Sequence, residues 1–98
     1  MLIASSRFIT DPSRAEPHRQ AHIDWVEQHI GEGLFLFAGP KADKSGGIIL
    51  AKGNDRDRLA AILAEDSWVQ AGIVENEIIA FDAKFALPEL TALSRDQV

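Results

Sequence analysis

An α+β fold with one antiparallel sheet is predicted by two features of the sequence. Four short apolar runs are rich in β-branched and aromatic residues, and two helical stretches fall between them in the order β-α-β-β-α-β. Two such crossovers place both helices on one face of the sheet and leave the other bare. That element order is the ferredoxin-like arrangement.

The first strand runs from Leu2 to Ile9 and stops at the turn-prone Thr10-Asp11-Pro12-Ser13. Arg14 to Gly31 reads as the first helix: Pro17 sits near its start, where a missing N–H is harmless, and Gly31 closes it. Gly33 to Ala38 is the second strand, apolar on both faces and so expected to be central or covered. Gly39-Pro40 ends it, and a loop from Lys41 to Gly46 leads to a third strand, Gly47 to Lys52. Asp55 offers an N-cap to a second helix, whose stripe is Leu59, Ile62 and Leu63. After a break at Asp66-Ser67-Trp68 and Gly72, Ile73 to Phe81 is the last strand. The expected domain spans residues 1–85, with 86–98 a tail that forms a short helix or frays.

Composition narrows the function. A hydrophobic fraction of 46% with 26% charged residues belongs to a globular chain. A net charge of −5 with no run of Lys or Arg argues against nucleic acid as a partner. With no cysteine, disulfides, thiolate nucleophiles and Cys-based zinc sites are all excluded. No apolar run approaches the roughly 20 residues that span a bilayer, and the N-terminus lacks the apolar stretch of a signal peptide. A cytoplasmic protein without a membrane partner is the expectation. The bare sheet face calls for a cover, and a second copy is the simplest one, hence an expected homodimer through that face.

The first helix carries the polar residues of interest. At about 100° per residue, Arg19, His22, Ile23, Trp25, Val26, His29 and Ile30 share one arc, while Gln20, Asp24, Glu27 and Gln28 lie opposite. His22 falls near the middle of the face that meets the sheet, and a polar group there needs a partner or a solvated cleft. On the second helix Asp66 extends the stripe, being i+3 from Leu63 and i+4 from Ile62. Both helices cover the same face, so His22 and Asp66 are in reach of each other. An Asp holding one imidazole nitrogen fixes the tautomer and makes the other nitrogen a general base. The plainer alternative is that His22 packs and Asp66 caps a helix turn. His18 and His22 stand at i,i+4, a zinc-compatible spacing, but no further ligand completes a set, so no metal is expected. No phosphate loop, dinucleotide fingerprint or nucleophile elbow is present, and no cofactor is expected. Trp25 and Trp68 are core or pocket-wall residues on this reading.

Taken together, Arg19-x-x-His22-x-x-Trp25, Gly33-Leu34 with Ala38-Gly39-Pro40, Gly47, Asp66 with Trp68, Ala71-Gly72-Ile73 and Ile79-Ala80-Phe81 form an ordered set. In that order and spacing the chain resembles the YCII-related (YciI-like) family of small proteins. The resemblance implies a dimeric α+β barrel of ferredoxin-like subunits and an active site around a His–Asp pair, falling here on His22 and Asp66. Arg19 and the Ala38-Gly39-Pro40 turn would lie near that pocket. The family often has Pro directly after the Asp, where this chain has Ser67. The implied chemistry is acid–base catalysis on small, ring-shaped or enolisable substrates.

The expected function is therefore a cofactor-independent small-molecule enzyme of isomerase, lyase or elimination type. His22 would be the general acid/base and Asp66 its orienting partner. Arg19, Trp25, Gly39, Pro40 and Trp68 would contact a small, anionic or ring-shaped substrate. The alternative is a non-catalytic dimeric ligand-binding or pathway-accessory module in which His22 and Asp66 are structural.

Overall fold

The computed structural model describes residues 1–95; residues 96–98, the end of the segment expected as a tail, lie outside the described residues. Four strands form one antiparallel sheet: β1 (Leu2–Phe8), β2 (Phe35–Pro40), β3 (Gly47–Ala51) and β4 (Val74–Ala80), in the order β2-β3-β1-β4. Three helices lie between strands: α1 (Arg19–Gly31), α2 (Arg56–Leu63) and the one-turn α3 (Ser67–Gln70). This is the ferredoxin-like α+β arrangement expected from the element order.

Three local readings change. The first helix divides: Pro12–His18 is a 3-10 segment and the α-helix begins at Arg19. Pro17 lies within the 3-10 segment, and its missing N–H leaves the α-helical ladder to start after it. The second strand is an edge strand, with a register shift between Phe35 and Phe37. Its two apolar faces are Phe35, buried beneath α1, and Phe37, 64% exposed on the sheet face that no helix covers. Finally, Asp66 does not continue α2, which ends at Leu63. Its backbone is extended, and its side chain caps α3 by accepting from Trp68 N–H. The Asp55 cap of α2 is as expected, accepting from Arg58 N–H at 2.9 Å.

Alternation along the strands creates two different halves of the helix-facing surface. At one end Leu2, Ala4, Phe35 and Ala51 meet Trp25, Leu59 and Leu63 in a closed core. At the other end Ser6 is paired with Asn76, and Gly47 with Pro40. These side chains are too small or too polar to fill the space under the helices. Beyond them, Ile73, Val74 and Ala15 form a second cluster with Phe8, Trp68 and Val69 packed on it. The chain thus leaves a gap between its two apolar clusters. After β4, Pro88–Leu90 forms a 3-10 turn and α4 covers Thr91–Arg95, with Phe85 and Leu87 largely exposed before them. Among the described residues no helix is long and apolar enough to cross a membrane.

Candidate active site

The gap is a cleft of about 610 Å³. Its floor is the Ala4, Ser6 and Asn76 region of the sheet, its roof is the N-terminal half of α1, and α3 forms one wall. His22 hangs from the roof, one turn into α1 and 20% exposed in its side chain. Asp66 is 4% exposed. The distance from His22 Nδ1 to Asp66 Oδ1 is 2.7 Å.

A carboxylate only accepts, so Nδ1 carries the shared hydrogen and donates it. The tautomer leaves Nε2 with a lone pair, and Nε2 has no hydrogen-bond partner among the described residues. Asp66 is held in turn. Its Oδ1 also accepts from Trp68 N–H at 3.1 Å, and its carbonyl accepts from Gln70 N–H at 2.9 Å. The imidazole lies flat on the Trp68 indole, with centroids 3.7 Å apart and planes 8° from parallel. Trp68 is itself anchored, because its Nε1–H donates to Ala15 carbonyl at 2.9 Å. Ser67 donates its hydroxyl to His18 carbonyl at 3.0 Å. It thereby ties α3 to the segment that leads into α1. The Asp66 bond fixes the distance and tautomer of His22, and the stacked Trp68 fixes its ring plane.

The YCII-related domain, as a family model, matches residues 4–82. This chain belongs to the YCII-related family. A comparison with curated proteins returned no match. Among solved structures this YCII-related chain is similar to 5-chloro-2-hydroxyhydroquinone dehydrochlorinase (TftG) from Burkholderia phenoliruptrix AC1100, in complex with 2,5-dihydroxybenzoquinone. The two share 17% identity at a TM-score of 0.65, over 83% of this chain and 93% of that one. At that identity the likeness establishes the fold.

Arg19, Trp25, Gly39, Pro40 and Trp68, the residues expected around the pair, all line the same cleft. They differ in position. Trp25 is buried between the cleft and the core, edge-on to Phe35 at 5.3 Å. Arg19 stands exposed at the mouth, its Nε–H donating to Glu16 at 3.0 Å. Gly39 and Pro40 end β2 at the opposite rim. Among the polar lining residues that escaped the sequence reading are Ser6, Lys44, Asn76 and Glu27, the last expected on the opposite side of α1. Ser6 and Asn76 had a signal, since each is a polar residue at the period-2 position of an otherwise apolar strand face. Lys44 had none, because only the folded loop brings it to the cleft.

Proposed function

We propose that this YCII-related protein is a small-molecule enzyme in which His22 Nε2 is the general base and then the general acid. The supporting observation is the 2.7 Å Nδ1–Asp66 bond combined with an unpartnered Nε2 in a cleft large enough for a single-ring compound. Asp66 holds the reactive tautomer and stabilises the imidazolium that forms when Nε2 takes a proton.

The chemistry is proton transfer at a carbon made acidic by a neighbouring carbonyl or ring hydroxyl. In an elimination, Nε2 removes the C–H proton, its electron pair forms the new double bond, and the leaving group departs with the electrons of its own bond. In an isomerisation, Nε2–H returns the proton to a different carbon. The flat Trp68 and the small side chains of the floor suit a ring or a short planar chain. The dehydrochlorination named for the structural neighbour belongs to the first of these reaction types. Arg19 and the Gly39-Pro40 rim bound the mouth, and Trp25 closes the inner wall.

The test is a turnover screen of chlorinated hydroxyquinols, enolisable acids and unsaturated lactones, followed by His22→Gln on any substrate found. The expected result is a loss of about 10²–10⁴-fold in kcat with the fold retained. Equal turnover by wild type and His22→Gln would remove His22 from the mechanism; ligand binding with no turnover across the screen would favour a binding module.

The uncovered sheet face supports a homodimer as part of the same proposal. Phe37, Ile48 and Ile79 are exposed there, and Ile3 and Leu50 are half-buried on the same side. Sedimentation should give a dimer, with Phe37→Glu shifting it toward monomer. A wild-type monomer would contradict it.

A further inference from the structure

Outside the His22–Asp66 pair the cleft lining holds Ser6, bonded to Gly47, Arg19, bonded to Glu16, the exposed carboxylate of Glu27, and Asn76 and Lys44. Asn76 stands on β4, two residues from Val74 and two from Ile78, on the face that meets the helices. It is half-buried, and its carboxamide forms no hydrogen bond among the described residues. A half-buried carboxamide with no protein partner keeps its donors and its acceptor open to a ligand in the cleft.

Lys44 comes from the loop between β2 and β3. It is the one non-glycine among the described residues with a positive φ, 63°. Glycine is the default there, and an L-side chain is strained. The loop has no freedom to relieve that strain. Phe8 N–H donates to Ser45 carbonyl at 3.1 Å and Lys41 N–H to Gly46 carbonyl at 2.8 Å. Gly46 presses so closely on β1 that a Cβ would come within 1.9 Å of Ser6 carbonyl oxygen. The chain uses glycine at 46 and 47 but carries a lysine at 44, the strained position, where the residue joins the cleft lining. Lys44 forms no ion pair among the described residues, whereas Arg19, the other cation of the lining, is bonded to Glu16. On a chain with a net charge of −5, whose exposed Glu27 lines the same cleft, an unpaired ammonium is the local attractor for anions.

Building on the reading of the cleft as a small-molecule site, we propose that its ligand is a small organic acid. Lys44 receives the carboxylate and Asn76 a neighbouring carbonyl or hydroxyl oxygen. The carbon skeleton then lies along Trp68, beneath His22. The strain at residue 44 persists because glycine, which would remove it, would also remove the ammonium. Charge selects the acid, and the directional carboxamide selects its second oxygen.

Benzoate and its neutral isostere benzamide separate this proposal from the one it rests on. Amide-resonance shifts in NMR titrations read binding at the cleft for both probes. Wild type should bind benzoate about tenfold or more tightly than benzamide, as expected for a charge-assisted contact. Lys44→Gly, which relieves the backbone strain and keeps the fold, should bring benzoate to the benzamide level without moving benzamide. Lys44→Arg should restore the preference. Equal binding of both probes by wild type, or benzoate binding unchanged in Lys44→Gly, would overturn acid recognition while leaving the cleft a small-molecule site. If neither probe bound wild type more tightly than about 10 mM, the acid proposal and the small-molecule reading would fall together.

Discussion

His22 and His29 lie seven residues apart on one face of α1, and each offers Nδ1 to a carboxylate, yet the two sites differ. His29 is 5% exposed, its Nδ1 lies 3.0 Å from Glu32 and its Nε2 3.4 Å from Glu65. Both ring nitrogens face acids, the ring is packed against Trp25 and Phe35, and it does not line the cleft. His22 has a carboxylate on one side only, and its other nitrogen meets the cleft. The carboxylates also differ, because Asp66 is buried and held by Trp68 N–H, whereas Glu32 and Glu65 are more than half exposed. A histidine–carboxylate bond is thus no mark of a site in itself. His29 Nε2 is also without a hydrogen bond among the described residues, but it is buried. What distinguishes His22 is that it lines the cleft, which exists because of the small residues on the floor below it.

The contrast can be broken most severely at His22. His22→Gln should lower kcat by about 10³-fold on any substrate that is turned over, with a denaturation midpoint close to wild type. Asp66→Asn should come next, at about 10²-fold in kcat. Asparagine is as good an N-cap as aspartate, so stability measured in urea should hold while the tautomer preference is lost. His29→Ala should reverse the pattern. A void beside Trp25 and Phe35 should cost about 2 kcal/mol of unfolding free energy, with kcat within about threefold of wild type on the same substrate. Lys44→Gly should leave stability unchanged or raise it by up to about 1 kcal/mol in the same urea experiment.

The smallest effect lies in the supports of His29. Glu32 is held below its ordinary value of 4.5 by the Gln28 side-chain hydrogen bond first and by His29 after it. A carboxylate depressed in the folded state contributes stability that is fully present above 4.5 and is lost as pH falls through the lowered value. Glu32→Gln should therefore flatten the acid limb of the stability curve below that pH and change little at neutrality. An acid limb identical to wild type would show that Glu32 has no such role.

Much of this contrast was legible along the chain, for physical reasons that differ by residue. Helical periodicity placed Trp25, His22 and His29 on the packing face, because burial of one stripe is what periodicity records. It could not separate the two histidines, since the difference lies in which sheet row each one faces. The same arc included Arg19 and Ile30, which are exposed, because the sheet does not extend beneath both ends of the helix face. Asp66 was found by counting along α2 but acts as the cap of α3. A helical stripe and a capping carboxylate can share one position, and only the backbone distinguishes them. Pro17 gave a helix start where the structure has a 3-10 segment, as proline is compatible with either near an N-terminus. Lys44 was silent, because its place depends on a loop pinned to β1 through Ser45 and Gly46.

The central claim is that Asp66 holds His22 with Nδ1 protonated and Nε2 bare toward the cleft. Long-range ¹H–¹⁵N correlation NMR of the histidine rings at neutral pH reads this directly. The expected spectrum shows a neutral Nδ1–H tautomer for His22 in wild type and a mixture or the Nε2–H form in Asp66→Asn. An Nε2–H tautomer in wild type would contradict the claim, since the nitrogen assigned to proton abstraction would already carry a proton.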